Sequence, residues 1–514
     1  MSDNASNNKR IAKNTGFLYI RTLFVMFISL YTSRLILQAL GVENYGIYNV
    51  IGGVVSMFSV ISTSLSAAIS RFITFEIGKG NKERLKEIFS TSIIIQLVLA
   101  TIVFVVCEIV GNWFMEYHMQ IPPDRLYAAH WVLHCSLISF CICLLSLPYE
   151  ACIIAHERMG AFAFISIYEA IMKLIICLLV FISPIDRLIF HAILMLCLSL
   201  LTRAIYTIYC NRNFEETHSK LKFDKAIFKE MLGFSGWNFF GSTANLLNNQ
   251  GLNMLMNVYF GVIVNAARGI AIQVENAVLK FVYSFTMAIN PQITKYYASD
   301  NLQNMHKLVC RGAKFSFYVM LLLGLPIIIK TRQILNLWLV DVPEYAVTFV
   351  QLSLIMGICD SIGSTGYTAC MATGKIKKYS IIITSISLLV FILSWILFAM
   401  GAEPQYAYYV YISIKITIII TRMFLLKSMV GLKIKMYIKN VFVPIINTSI
   451  IAVTPPIIVS RCVEENILTL FLVLAVSVIS TTFSVLCFGM TKNERNFTLT
   501  KVKNLIKKTL VLSK

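Results

Sequence analysis

Long apolar stretches, separated by short polar gaps, follow one another along the chain from residue 15 to residue 489. A helix needs roughly 20 apolar residues to cross the hydrocarbon core of a bilayer, and stretches such as 88–111 and 467–489 meet that length. Lipid offers no partner to backbone N–H and C=O groups, so only helices and closed barrels span it. The stretches are uniformly apolar rather than alternating, which argues against a barrel. The pattern predicts an all-α polytopic membrane protein.

The spacing of the gaps predicts fourteen spanning helices. The first twelve lie at 15–40, 46–75, 88–111, 127–150, 161–183, 188–210, 233–260, 262–291, 312–332, 346–372, 380–400 and 405–426, and two more lie at 440–459 and 467–489.

Composition and charge agree with this pattern. Of the 514 residues, 57% are hydrophobic and 14% charged, whereas soluble proteins carry roughly 25% charged residues. The net charge of +20 is not gathered on a soluble domain: thirty Lys and Arg residues lie in alternate gaps and at the termini, and three lie in the opposite gaps. Lys and Arg mark the cytoplasmic side of a membrane protein. We therefore expect both termini in the cytoplasm and no nucleic-acid partner.

A weak internal repeat divides the chain. Shifting it by 220 positions aligns 68–74 with 288–294 and Gly41 with Gly261, and the shift crosses six spans. We predict an N-lobe (1–210), a cytoplasmic linker (211–232), a C-lobe (233–426), two added helices (427–489) and a basic amphipathic tail (490–514). Two similar halves suit an alternating-access transporter.

Charged residues inside predicted spans are candidates for a functional site, because each costs about 2.5–3.5 kcal/mol at the bilayer centre. Arg21 and Arg71 lie near cytoplasmic helix ends, where snorkelling to the interface is an alternative explanation. The charges that lie deeper are Arg34, Arg268, Lys280, Glu275 and Asp360. The two acids are candidate proton or sodium sites, and a paired structural role for Asp360 stays open.

Small polar residues form two stripes at three- and four-residue steps, one in the second span and one in the seventh. The candidates for lining a cavity are Ser59 and Ser66 in the first stripe, and Asn245, Asn249, Asn253 and Asn257 in the second. Such stripes also join helices to one another. If they line a cavity, the excess of Arg and Lys favours an anionic substrate, since guanidinium groups bind phosphate in a bidentate manner.

Several chemistries lack their motifs. There is no phosphate loop of the G-x-x-x-x-G-K-[ST] type and no G-x-S-x-G elbow, and Trp131 stands where a zinc protease motif on His130 and His134 would need Glu. The thirteen Cys residues form no C-x-x-C pair. We expect no enzyme activity, no bound metal and no cofactor beyond a coupling ion.

The stretch from Thr32 to Tyr48, TSRLILQALGVENYGIY, resembles the end of the first helix and the first outer turn of Wzx-type polysaccharide and O-antigen flippases. The stretch from Leu147 to Met159 is similar to the same family near the end of the fourth helix. These flippases belong to the multidrug/oligosaccharidyl-lipid/polysaccharide exporter superfamily.

The resemblance implies that the chain flips an undecaprenyl-diphosphate-linked sugar repeat unit across the bacterial cytoplasmic membrane, alongside polymerase and chain-length machinery. Related lipid II flippases hold the diphosphate with Arg residues of the first, second and eighth helices. By helix position, the corresponding residues are Arg34 or Arg21, Arg71 and Arg268. A drug/cation antiporter of the same superfamily and a non-transporting scaffold of a glycan-assembly complex remain alternatives.

Overall fold

The computed structural model describes residues 2–56, 59–117, 123–218, 222–339, 342–464, 466–496 and 500. The side chains of Arg34, Ser59, Asn245 and Asn257 lie outside the described residues. The described part of the chain is all-helical, as the sequence predicts.

Fifteen α-helices cover most of the described residues. They are α1 (Ser2–Ser56), α2 (Ser59–Lys79), α3 (Lys82–Tyr117), α4 (Leu126–Ala155), α5 (Met159–Phe181), α6 (Arg187–Asn213), α7 (Lys225–Ala298), α8 (Leu302–Ile329), α9 (Thr331–Trp338), α10 (Ala346–Ala372), α11 (Lys377–Ala399), α12 (Tyr406–Val430), α13 (Ile434–Tyr437), α14 (Val443–Cys462) and α15 (Ile467–Ser484).

Among the described residues, eleven helices are long and apolar enough to cross a membrane. Neither α2 nor α7 is one of them, and these are the helices that carry the Ser and Asn stripes. The count of fourteen spans and the cytoplasmic position of the termini stay predictions.

Helix α1 contains a backbone break at Gly41, where φ is 76° and ψ is 167°. A residue with a side chain rarely adopts this conformation, whereas glycine does so at little cost. The break falls in the polar gap that the sequence places between the first two spans. Gly41 therefore ends the first span without a long loop.

Helix α7 must reverse its direction between Asn253 and Arg268, because the side chains of these two residues are hydrogen-bonded to each other. In a straight helix, 15 residues would separate them by about 22 Å. Helix α7 therefore consists of two helices folded back on one another, in agreement with the predicted spans 233–260 and 262–291.

The chain forms two compact units whose segments interleave along the sequence. Unit 1 comprises Met1–Thr243, Met287–Asn301 and Met371–Ser380, and unit 2 comprises Ala244–Thr286, Leu302–Cys370 and Ile381–Lys514. Each unit has its own apolar core: Phe89 and Met159 are buried in unit 1, and Phe349 and Leu354 in unit 2.

Candidate functional site

Among the predicted site residues of unit 2 whose side chains the structure describes, Arg268 has the smallest exposed fraction, 3%. Its Nε donates a hydrogen bond to Asn253 Oδ1, and its Nη2 donates to the backbone oxygen of Asn249 at 3.1 Å. Among the described residues, no carboxylate lies within ion-pair distance of this guanidinium. Two residues of the predicted Asn stripe therefore hold Arg268 in place, and among the described residues its guanidinium has no carboxylate in direct contact.

Glu275 lies seven residues after Arg268 and is also buried, with 8% exposed. Its carboxylate packs against the backbone of Gly357 on α10, where an added Cβ would lie 3.4 Å from Oε1. It interacts electrostatically with Asp360, Lys415 and Arg268. The sequence spacing predicts Arg268 and Glu275 on one face, and the structure brings both toward α10 and α12.

Asp360 is not isolated. Lys415 of α12 donates a hydrogen bond from Nζ to Asp360 Oδ1 at 2.6 Å. Arg422, about two turns further along the same face of α12, lies directly against Gly363, where its guanidinium occupies the space that a side chain would need. Of the two alternatives for Asp360, the structure therefore supports the paired acid.

Arg71 of α2 belongs to unit 1. Its Nη2 donates to the backbone oxygen of Ala372 at 3.0 Å. Its guanidinium also lies over the rings of Phe72 and Phe75, in each case 4.6 Å from the centroid. Gly374 leaves room for this arrangement, because an added Cβ would lie 2.6 Å from Nη2. Arg71 is thus held by aromatic rings and a carbonyl oxygen, and no described carboxylate lies within ion-pair distance of it.

Arg21 of α1 lies over the ring of Phe162, 4.6 Å from its centroid, and interacts electrostatically with Glu150 and Glu169. Lys173 Nζ lies 2.6 Å from Glu169, which is the i,i+4 pair that the spacing indicates. These contacts occupy Arg21 within unit 1. Its Nε is buried and has no hydrogen-bond partner among the described residues, so Arg21 stays a candidate for binding an anion.

The remaining described candidates are less telling. Lys280 is exposed, Asn249 is exposed, and Ser66 is half-buried. Asn238, at the start of the Asn stripe, donates to the backbone oxygen of Ser64 at 3.4 Å and so joins α7 to α2. The stripe therefore combines helix–helix contacts at one end with Arg268 at the other.

Glu157, in the short turn between α4 and α5, organises a cluster that sequence reasoning missed. Its side chain is 1% exposed and lies 2.8 Å from Arg10 and 2.7 Å from Lys295. Gln292 donates to its Oε2 at 2.8 Å, and Asn14 donates to its backbone oxygen at 3.1 Å. The cluster fastens the end of α7 to the beginning of α1. A single acid in a gap between two apolar stretches does not indicate such a cluster from the sequence.

Arg203 of α6 is a second residue that the sequence did not single out. Its Nη1 donates to the backbone oxygen of Leu145, and its guanidinium lies 4.2 Å from the centroid of the Tyr149 ring. Pro148 lies within α4, and proline disrupts the hydrogen bonding of the preceding turn. The sequence signal for this contact is Pro148, because a proline inside a span leaves carbonyl oxygens of the preceding turn without an N–H donor, and lipid supplies none.

Comparison with known proteins shows which family the chain belongs to. Residues 11–299, more than half of the chain, match the family described as "Polysaccharide biosynthesis protein". The chain belongs to this family. A curated relative is the uncharacterized membrane protein EpsK of Bacillus subtilis (strain 168), which is 21% identical over 160 residues. That match spans 31% of this chain and 31% of EpsK.

Solved structures of similar fold come from MATE transporters. The crystal structure of a MATE protein in complex with MaD3S has a TM-score of 0.73 and 13% identity, covering 83% of this chain and 97% of that one. An outward-facing multidrug resistance MATE transporter of the MOP superfamily has a TM-score of 0.70 and 12% identity, covering 84% and 97%. Identity at this level shows the fold alone. Family and fold together make the chain a multi-pass membrane protein of the polysaccharide biosynthesis family with the fold of MATE transporters.

Proposed function

We propose that this transporter flips a diphosphate-linked lipid oligosaccharide from the inner to the outer leaflet of a bacterial cytoplasmic membrane, for cell-surface polysaccharide synthesis. The diphosphate binds Arg268, the sugars occupy a hydrated path along the Asn stripe, and the prenyl chain stays in lipid. Membership of the polysaccharide biosynthesis family supports the substrate class.

The observation that carries the proposal is the state of Arg268. A guanidinium has five N–H donors, and two of them are engaged by α7 itself. A buried charge without a counter-ion is expensive in a membrane, and a diphosphate would supply both the missing charge and the remaining acceptors. The two hydrogen bonds fix the direction of the guanidinium before a ligand arrives, which lowers the entropic cost of binding.

Glu275 is the acid that best suits ion coupling. Asp360 is neutralised by Lys415 at 2.6 Å, whereas Glu275 has no cation within ion-pair distance among the described residues. A proton or sodium ion can therefore neutralise Glu275 without displacing a bound lysine. Glu275→Gln is expected to abolish the dependence of flipping on an ion gradient, and a variant that keeps this dependence would contradict the assignment.

The test compares Arg268→Ala with Lys280→Ala, which removes an exposed cation from the same helix. In cells that depend on this protein for surface polysaccharide, Arg268→Ala is expected to lower surface polysaccharide at least about tenfold, since a lost charge-assisted contact is worth roughly 1.5–3 kcal/mol. Lys280→Ala is expected to behave as wild type. Glycan is measured on intact cells, and protein in the membrane fraction is measured by immunoblot.

Normal polysaccharide output from Arg268→Ala at an equal protein level would refute the proposed role of Arg268. Toxin resistance on expression, with no glycan phenotype, would favour the drug/cation antiporter instead. Normal output after Arg268, Lys415 and Arg422 are all neutralised would favour a scaffold that transports nothing.

A further inference from the structure

Two histidines lie one turn apart on α4, near the end that the sequence assigns to the outer side. His130 and His134 have i,i+4 spacing, so their side chains project from the same face of the helix. Their rings are stacked, with centroids 6.2 Å apart and planes inclined by 26°. Two imidazoles at this spacing on a helix can bind the same ion.

Helix α3 fixes the tautomer of both rings. His134 Nδ1 lies 2.8 Å from Glu108 Oε1, and His130 Nδ1 lies 2.9 Å from Asn112 Oδ1. Asn112 uses its Nδ2 to donate to Glu108, at 3.1 Å to Oε1 and 2.7 Å to the backbone oxygen, so its Oδ1 is the atom that faces His130. Since both oxygens accept, each Nδ1 carries the proton. In the neutral form of each ring, Nε2 then keeps its lone pair.

Both Nε2 lone pairs are available. Among the residues that the structure describes, neither Nε2 has a hydrogen-bond partner, and the His134 side chain is 43% exposed. Glu108 Oε2, by contrast, is buried and has no partner among the described residues. The cluster thus contains two imidazole nitrogens whose lone pairs can bind a metal ion, and one carboxylate oxygen with no hydrogen-bond partner among the described residues.

Aromatic residues place the pair at the membrane surface. Tyr127, Trp131 and Trp113 flank the cluster on α4 and α3, and all three are exposed. Trp and Tyr collect at the level of the lipid headgroups, where water and dissolved ions reach the protein. The His pair is therefore accessible from the aqueous phase rather than from the hydrocarbon core.

We infer that His130 and His134 form a binding site for a divalent transition-metal ion on the outer side of the protein. Neutral imidazole is the commonest metal ligand and suits Zn²⁺, Ni²⁺ and Cu²⁺. Glu108 and Asn112 occupy the outer shell: an Nδ1–H that donates to a carboxylate or carbonyl oxygen is the usual support of a metal-binding histidine.

Water completes the coordination. No group of three or more His, Cys, Asp or Glu residues gathers in metal-binding geometry in the described part of the chain. The site consequently rests on two protein ligands, and the ion exchanges with solvent. Its bound state ties α4 more firmly to α3, and it does not depend on the proposed transport function.

The experiment is isothermal titration calorimetry of ZnCl₂ into the full-length protein in detergent, after removal of any polyhistidine tag. Wild type is expected to bind one ion per chain. Glu108→Gln keeps both ligands but weakens their support, and should lower the affinity about tenfold or more. His130→Ala and His134→Ala should each abolish the site.

The matched control is His218→Ala. His218 is an exposed single imidazole in a short 3-10 turn distant in sequence from the pair. Its removal is expected to leave Zn²⁺ binding unchanged. Equal binding by wild type and by the double variant His130→Ala, His134→Ala would overturn the inference.

Wild type alone supplies a second readout if the histidine variants fail to fold. Co²⁺ bound by imidazole nitrogen gives a visible absorption band, and this band should disappear when excess chelator is added. A wild-type protein that shows no Co²⁺ band at neutral pH would also overturn the inference.

Discussion

Three arginines within the described helices satisfy their charges differently. Arg268 is held by Asn253 and the backbone of Asn249, Arg71 by aromatic rings and a carbonyl, and Arg203 by a carbonyl next to Pro148. Among the described residues, none of the three has a carboxylate within ion-pair distance. Arg268 is the one of them that is fully buried, and its charge retains the capacity to bind an anion.

The sequence located these charges but not their partners. Asp360 looked isolated because its neighbours along α10 are apolar or small, and its partner Lys415 lies 55 residues away. The i,i+4 pair of Glu169 and Lys173 could be predicted, because helix geometry alone brings the two together. Contacts between helices depend on packing that no local pattern records.

Glu494 makes stability depend on pH. Burial would raise the pKa of the Glu494 carboxyl, but Lys314 at 2.8 Å, the Thr491 N–H at 2.9 Å and Arg311 at 2.9 Å together hold it below its ordinary value. Since the pKa is lower in the folded state, this stabilisation is present above the unfolded pKa of about 4.3 and is lost as the pH falls through the folded pKa.

We therefore expect Glu494→Gln to lower the melting temperature at neutral pH and to differ little from wild type at strongly acid pH. Thermal unfolding in detergent across this pH range measures the gap. Glu403→Gln, which alters an exposed carboxyl, serves as the control. A gap that stays constant with pH would show that Glu494 acts through its shape rather than its charge.

At the scale of the helix, the sequence predicts where helices begin and end better than it predicts the contacts made in the turns between them. The apolar lengths and polar gaps predicted most helices, and Gly41 marked the break in α1. The turn between α4 and α5 was expected only as a gap, yet Glu157 adopts a left-handed φ of 59° there and binds three donors through its carboxylate. A strained residue of this kind persists only where its contacts outweigh the strain.

Glu157→Ala is expected to destabilise the protein by about 3 kcal/mol, the range seen when one partner of a buried ion pair is removed. Lys295→Ala should cost less, because Arg10 and Gln292 would still satisfy the carboxylate. Chemical or thermal unfolding measures both variants and their double mutant.

Glu83→Ala, which removes an exposed acid from the first turn of α3, is the control for this series. If the losses for Glu157→Ala and Lys295→Ala simply add in the double mutant, the two side chains do not interact. Such additivity would remove the cluster as a fastening point for the end of α7.

At the scale of the whole molecule, membrane sidedness rests on the distribution of Lys and Arg. Helix α11 offers a direct test, since exposed residues lie just outside each end: Lys375 in a predicted cytoplasmic gap and Glu403 in a predicted outer gap. We expect Glu403→Cys, but not Lys375→Cys, to react with a membrane-impermeant maleimide in intact cells.

Both introduced cysteines should react after the cells are permeabilised, and the parent chain reports the background from its native cysteines. Reaction at Lys375→Cys alone in intact cells would show that the orientation is the reverse of the predicted one. Reaction at both positions would mean that α11 does not span the membrane.

The interleaving of the two units has a consequence for how the protein is made. Unit 1 takes its last segment from 371–380, and a middle segment from the end of α7. Its contacts cannot all form until residue 380 has left the ribosome, although unit 2 still lacks most of its later helices at that point. Until residues 371–380 are made, the early helices of unit 1 must therefore stay in the membrane with part of their packing surface exposed. Newly made chains should be most exposed to quality-control proteases during this interval.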